Sequence, residues 1–135
     1  MTSSDTERLL TKFNRNPPAE VAVIRQFEAE SGIRLPDDYA KFLQQADGGE
    51  GSVGNAYVIL WRVEELIEMN KAYQVAEYAP GLLFFGSDGG GEAFAFDTRP
   101  SAKPIVSVPF VGMDLKLARP VASDFKAFLE ELFTY

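Results

Sequence analysis

The chain has 135 residues, enough for one domain, and its 46% of hydrophobic and 24% of charged residues are ordinary for a globular protein. Its 20 acidic residues outnumber the 13 Lys and Arg residues, and the resulting net charge of −7 opposes direct binding of nucleic acid. Without any Cys or His, the chain cannot form a disulfide, a common zinc site, a thiol nucleophile or a Ser-His-Asp triad.

The N-terminal residues, MTSSDTERLL, contain no apolar signal-peptide core. The longest apolar run, from Ala56 to Trp61, is far shorter than the roughly 20 residues that a membrane span requires. We therefore expect a cytoplasmic protein with one domain over residues 1–135, no membrane contact, no metal and no cofactor.

The first predicted helix begins at a capping box formed by Ser4 and Glu7. Its apolar face consists of Leu9, Leu10 and Phe13. A second helix follows Pro18 and ends at Gly32, a residue suited to the left-handed conformation after a helix. Its buried positions recur at helical spacing and are Val21, Ile24 and Phe27.

A third helix begins at Pro36, and two aspartates place negative charge in its first turn, where the helix dipole favours it. Its core-facing residues recur at i, i+3, i+4 and i+7 and are Tyr39, Phe42, Leu43 and Ala46. Residues 47–55 are rich in glycine and predict a loop, and the segment from Tyr57 to Trp61 predicts a strand. Residues 63–73 return to helical spacing with glutamates facing outward.

From Gly81 the pattern changes to short strands separated by turns, over residues 82–85, 93–97, 105–109 and 113–118. Phe94 and Phe96 alternate with alanines, which predicts a strand with one aromatic face. Ser123 then caps a last helix with buried residues at helical spacing: Phe125, Phe128, Leu129 and Leu132. This order predicts an α+β fold in which N-terminal helices and a C-terminal helix pack on one face of an antiparallel sheet.

The segment 86–92, Gly-Ser-Asp-Gly-Gly-Gly-Glu, is the most obvious candidate for a chemical site. Its glycine spacing resembles a phosphate-binding loop, but Glu92 and Ala93 stand where that loop requires Lys and then Ser or Thr. A β-hairpin turn explains the glycines and is the reading we favour. Asp88, Glu92 and Asp97 could instead bind Ca²⁺, or Asp88 and Glu92 could form an acid/base pair, although their spacing matches no known calcium loop.

Acidic charge is concentrated in the middle of the chain. Residues 47–97 contain nine acids and two bases, so this segment carries the entire net charge of −7. A solvated acidic surface explains most such runs, and the alternative is a surface that attracts a basic partner. A core position is the simpler explanation of Trp61, but Trp61 or Tyr57 could also anchor that partner. The predicted partner-binding residues are Asp47, Glu50, Tyr57, Trp61, Glu64, Glu65, Glu68, Asp88 and Glu92.

Three segments resemble motifs of the SUKH superfamily and occur in the same order. The first, residues 27–49, contains Leu-Pro-Asp-Asp-Tyr followed by Phe-Leu and a pair of glycines. The second, residues 83–94, resembles the central hairpin of the family, and the third, residues 123–129, its closing helix. The resemblance covers roughly residues 20–133 and points to the branch shared with fungal cell-wall synthesis regulators.

The resemblance implies an α+β fold and, for bacterial members, a role as an immunity protein. Such proteins bind a toxin domain, often a nuclease or a deaminase, and block it without catalysing a reaction. We therefore expect a protein that is not an enzyme and whose partner is a basic toxin domain. A regulatory scaffold for cellular proteins, as in the fungal relatives, is one alternative, and a small hydrolase that uses carboxylates is another.

Overall fold

The computed structural model describes residues 7–134, and within them seven strands form one antiparallel sheet whose spatial order follows the sequence. The strands are β1 (Lys12–Arg15), β2 (Gly49–Val53), β3 (Ala56–Leu60), β4 (Leu82–Ser87), β5 (Glu92–Asp97), β6 (Ile105–Pro109) and β7 (Arg119–Ala122). The helices are α1 (Val21–Ser31), α2 (Asp37–Leu43), α3 (Leu66–Ala72), α4 (Val75–Tyr78) and α5 (Phe125–Phe133). The predicted α+β fold is confirmed.

An aromatic cluster joins the sheet to α2 and α5. Phe94 and Phe96 point to the same side of β5, as their alternation with alanines predicts. The ring of Phe94 lies 4.9 Å from that of Phe128, and the ring of Phe96 lies 4.9 Å from that of Tyr39. Tyr39 also contacts Phe125 at 5.1 Å. One cluster therefore holds both helices against the same face of the sheet.

The start of α5 differs from the prediction by one residue. Asp124, rather than Ser123, is the N-cap, and its Oδ1 accepts a hydrogen bond from the N–H of Ala127 at 2.8 Å. Asp38 of α2 adds a second cap, because its Oδ2 accepts from two N–H groups in the first turn of α5, at 2.9 and 3.1 Å. A carboxylate predicted to stabilise its own helix thus also binds another helix.

The N-terminal region also differs from the prediction. Ser4 lies outside the described residues, and helical conformation covers residues 7–9. Leu9 and Leu10 are buried as expected, but Phe13 lies in β1, where it pairs with Gly51 of β2. Phe13 is the single buried residue of a four-residue strand, so no alternation distinguishes this segment from a continued helix.

The glycine-rich segment 47–55 is not the predicted loop, because it contains β2 and the turn to β3. A Cβ atom at Gly49 would lie 2.2 Å from the carbonyl oxygen of Asn14, and one at Gly51 would lie 2.7 Å from that of Lys12. Glycine is therefore required where β2 approaches β1 closely, although glycine has low strand propensity.

Two further predicted elements are displaced. The helix expected over residues 63–73 is a 3₁₀ turn, Val63–Glu65, followed by α3, and the short α4 begins after Gln74, whose φ angle is +57°. The strand expected over residues 113–118 is instead a 3₁₀ turn, Leu115–Leu117, and β7 begins only at Arg119.

Helix α1 largely matches its prediction. Ile24 and Phe27 are buried, and Gly32 ends the helix with a φ angle of +72°. Val21 is 43% exposed and lies outside the core, because it occupies the first position of the helix. Among the described helices, none is both long and apolar enough to cross a membrane.

Candidate interaction surface

The β2–β3 hairpin exposes two of the predicted binding residues. Glu50 and Tyr57 lie on its exposed face, since the residues between them alternate with buried ones. The hydroxyl of Tyr57 donates a hydrogen bond to the carboxylate of Glu50, and this bond raises the pKa of Tyr57. Tyr57 is 46% exposed, so part of its side chain is open to solvent.

A depression of about 340 Å³ continues from this hairpin toward the end of β3. Its lining includes Glu50, Trp61, Glu65 and Arg15. Arg15 forms an ion pair with Glu7 at 2.9 Å, so its positive charge is already partly neutralised within the protein. The net effect is a depression with two carboxylates at its rim.

Three glutamates, Glu64, Glu65 and Glu68, are exposed along the 3₁₀ turn and α3, as helical spacing predicts. We call these three residues the acidic ridge. The Oε1 atom of Glu65 also accepts a hydrogen bond from the N–H of Arg62 at 3.1 Å and thereby closes the start of the turn. The opposite side of α3 packs inward through Leu66, which is fully buried.

Asp47 is not part of the surface, contrary to the prediction. It is 4% exposed, and its Oδ1 accepts a hydrogen bond from the N–H of Val63 at 2.8 Å. Burial, together with a hydrogen bond to the Glu64 carboxyl, raises the pKa of Asp47 to about 7. The same contact lowers the pKa of Glu64. Asp47 therefore lies beneath the acidic ridge, next to Glu64.

Trp61 is also buried, at 8% exposure, which agrees with the core position that is the simpler explanation of this residue; its role as an anchor for a partner stays a prediction. Its ring stacks on that of Tyr73, with centroids 6.1 Å apart and an angle of 4° between the planes. Tyr73 is 40% exposed and also contacts Phe110, at 4.6 Å. The exposed ring of this stacked pair is therefore Tyr73, which follows α3 and has no sequence spacing that distinguishes it from a core residue.

The segment 86–92 forms the favoured β-hairpin turn between β4 and β5. The Oδ1 atom of Asp88 accepts hydrogen bonds from the N–H groups of Gly90, at 2.7 Å, and Glu92, at 3.1 Å. Glu92 in turn forms an ion pair with Arg119 at 3.2 Å. Asp88 and Glu92, both half-buried, line a depression of about 260 Å³ together with Tyr57. The hydrogen bonds of Asp88 and the ion pair of Glu92 thus stabilise the turn itself.

The calcium alternative has no matching arrangement of side chains among the described residues. Asp97 lies apart from the turn, at the far end of β5, and forms an ion pair with Arg99 at 2.9 Å. Hydrogen bonding to Arg99 lowers the pKa of Asp97. Within residues 7–134, no group of three or more His, Cys, Asp or Glu side chains is arranged to hold a metal ion.

The structure thus divides the predicted binding residues into three groups. The acidic ridge, Glu50 and Tyr57 are exposed, Asp88 and Glu92 are half-buried, and Asp47 and Trp61 are buried. The exposed group presents carboxylates with a phenol ring beside them, which suits binding of Lys and Arg side chains on another macromolecule.

Comparison with known families gives one match. The model of the SMI1 / KNR4 family (SUKH-1) matches residues 18–131, a region that includes every described element from α1 to β7 and most of α5. No curated protein matches the chain.

Proposed function

The chain belongs to the SMI1 / KNR4 family (SUKH-1), and from this premise we propose that it neutralises a basic bacterial toxin domain by covering the active face of that domain. The family is consistent with an immunity-type or interaction module. A nuclease or deaminase toxin acts inside the cell, so we also propose that the protein is cytoplasmic.

The acidic ridge is the observation that supports this proposal. A toxin that binds nucleic acid must carry Lys and Arg residues where the phosphate backbone lies. Glu64, Glu65 and Glu68 present three carboxylates along the 3₁₀ turn and the first turn of α3, and Glu50 adds a fourth on the neighbouring hairpin. These carboxylates would compete with phosphate groups for the same cations and would accelerate the encounter.

We further propose that the protein does not catalyse a reaction. Its sequence contains neither His nor Cys, the usual bases and nucleophiles. Among its acids in the hairpin region, Asp88 accepts two backbone hydrogen bonds, and Glu92 and Asp97 are paired with arginines. Binding without catalysis requires only the exposed carboxylates and the fold that positions them.

Co-expression with the toxin domain encoded by the neighbouring gene tests the proposal. Cells that express the toxin domain should survive only when this chain is also expressed. The variant Glu65→Lys with Glu68→Lys should lose most of this protection, because two attractive charges become repulsive. The matched control, Glu130→Lys with Glu131→Lys, changes two exposed glutamates of α5 and gives the same net charge, so it should still protect.

Two results would contradict the proposal in different ways. If the unmodified chain binds no toxin and gives no protection, the immunity role is wrong. If both double variants protect equally well, the immunity role stands, but the acidic ridge is not the contact surface.

A further inference from the structure

A groove lies between α1 on one side and α3 and α4 on the other, with a volume of about 760 Å³. Its apolar lining includes Phe27, Ile33, Ile67, Leu82 and Leu83. The charged residues that line it are Glu30, Lys71 and Glu77. We call it the α1–α3 groove. Its size and apolar floor are those of a binding site for a ligand or for several side chains.

The α1–α3 groove extends to the acidic ridge. A smaller depression of about 130 Å³ shares Phe27, Glu30 and Ile67 with the groove and adds Glu64. The described lining of the two together therefore contains three carboxylates and one lysine, Lys71, for a net charge of −2. An apolar floor with an acidic rim complements a segment that is apolar on one side and basic at its margins.

The strand at the floor cannot accept a further strand. Strand β3 pairs only with Gly86 and Ser87 of β4. At Phe84, nearer the start of β4, the side chain of Asn70 forms the hydrogen bonds that a neighbouring strand would form. Its Oδ1 accepts from the N–H of Phe84 at 2.8 Å, and its Nδ2 donates to the carbonyl oxygen of Phe84 at 2.9 Å. The N–H of Leu82 donates to Ala79 at 3.2 Å. Recognition by β-strand addition is thus blocked, whereas a helix that binds through its side chains remains possible.

We propose that the α1–α3 groove binds an amphipathic helix of the partner, which places apolar side chains on the floor and Lys or Arg beside Glu30, Glu64 and Glu77. This inference rests on the proposed function and identifies which part of the toxin is recognised. An acidic helix is repelled by the rim, and a helix without an apolar face leaves the floor in water. The groove therefore selects for both properties together.

A synthetic peptide tests this chemistry without knowledge of the toxin. The probe has about 15 residues of leucine and lysine, or roughly four helical turns, with the leucines at i, i+3, i+4 and i+7. It is titrated into the isotope-labelled full chain, and backbone amide chemical shifts are recorded. We expect saturable shifts centred on Phe27, Ile67 and Leu83. A peptide with the same composition but scattered leucines, and one with glutamate in place of lysine, should produce no such shifts.

Matched variants test the role of the rim. Glu30→Gln with Glu77→Gln removes two carboxylates from the groove with little change in shape, and should weaken binding of the leucine–lysine peptide by about fivefold. Glu130→Gln with Glu131→Gln makes the same change in net charge on exposed positions of α5 and should leave binding unchanged.

The proposal is overturned if the shifts centre on another surface, if both pairs of variants weaken binding equally, or if the chain self-associates through this groove. The toxin assay separates this inference from the proposed function. If the unmodified chain and the Glu30→Gln, Glu77→Gln variant protect cells equally, the groove is not the recognition site, although the immunity role stands. If the unmodified chain gives no protection, the immunity role fails, and the peptide titration alone decides what the groove binds.

Discussion

A buried carboxyl gives this protein an unusual dependence of stability on pH. The pKa of Asp47 is about 7 in the folded protein, against an ordinary value of 3.8, because the side chain is buried and hydrogen-bonded to Glu64. The folded state therefore binds this proton more tightly than the unfolded chain does. The stabilisation is complete below pH 3.8 and is lost as the pH rises to about 7. The lowered pKa of Glu64 acts in the opposite direction, but only below its ordinary value of 4.5.

We therefore expect the free energy of unfolding to fall by about 2 kcal/mol between pH 4.5 and pH 8, since Asp47 and Glu64 titrate together and solvent screening offsets part of the full effect. Asp47→Asn should flatten this profile, because an amide can accept from Val63 and donate to Glu64 without titrating. Urea denaturation at a series of pH values measures the free energy of unfolding of the unmodified chain and of the Asp47→Asn variant. Parallel profiles for the two proteins would show that Asp47 does not control the pH dependence.

Asp97→Asn is the control for this experiment. The pKa of Asp97 is lowered by its hydrogen bond to Arg99, so its stabilisation is present above 3.8 and is lost as the pH falls through the lowered value. The Asp97→Asn variant should therefore be less stable than the unmodified chain at neutral pH.

The hydroxyl of Tyr39 is a second buried polar group, and it has no hydrogen-bond partner among residues 7–134. Burial raises the pKa of Tyr39, and the nearby charge of Asp47 raises it further. Since an unpaired buried hydroxyl costs about 1–3 kcal/mol, Tyr39→Phe should increase the free energy of unfolding by about 1 kcal/mol. Tyr57→Phe, at an exposed position, should change it by less than about 0.5 kcal/mol. A destabilised Tyr39→Phe protein would indicate a bound water at the hydroxyl.

At the scale of elements, a single carboxylate connects two helices that are far apart in the sequence. Asp38 of α2 accepts hydrogen bonds from two N–H groups at the start of α5. Asp38→Ala should therefore lower the free energy of unfolding by about 1–2 kcal/mol, as loss of a helix cap does. Asp37→Ala, in the same turn but exposed, should cost less than about 0.5 kcal/mol. Equal losses in urea denaturation would show that the bonds to α5 contribute little.

Local patterns predicted the elements that bury one regular face. The spacing in α2 and α5 is clear because each packs a single apolar stripe against the aromatic side of the sheet. Strand β2 was not predicted, because its glycines resemble a loop. Gly49 and Gly51 are required by the close approach of β1, which is a contact between segments distant in the sequence. The exposure of Glu64, Glu65 and Glu68 followed from helical spacing. The burial of Asp47 did not, because it depends on a hydrogen bond to the later 3₁₀ turn.

At the scale of the whole molecule, the charge in a sequence segment differs from the charge on the surface. Residues 47–97 contain nine acids, but Asp47 is buried, and Glu92 and Asp97 are paired with arginines. Of the six others, Glu64, Glu65 and Glu68 form the acidic ridge and Glu50 lies on the neighbouring hairpin, whereas Glu77 and Asp88 lie elsewhere. A focused potential of this kind acts mainly on the rate of association.

We expect the association rate constant with the proposed toxin partner to fall by roughly tenfold between low salt and 0.5 M salt, since exposed charges are screened over less than about 10 Å above 0.1 M. The dissociation rate constant should change far less. Stopped-flow or surface-binding kinetics measure both. Glu65→Lys with Glu68→Lys should remove most of the salt dependence. An association rate that is insensitive to salt would exclude electrostatic attraction as the means of encounter.

Helix α5 is the last of the described elements to leave the ribosome, yet it covers the aromatic side of the sheet through Phe125 and Phe128. Until that segment is translated, Tyr39, Phe85 and Phe94 have no partner from it. A chain in which α5 has not yet docked therefore exposes these aromatic rings to water, and transiently exposed apolar surface of this kind favours aggregation. The aromatic side of the sheet is covered only after this helix has docked.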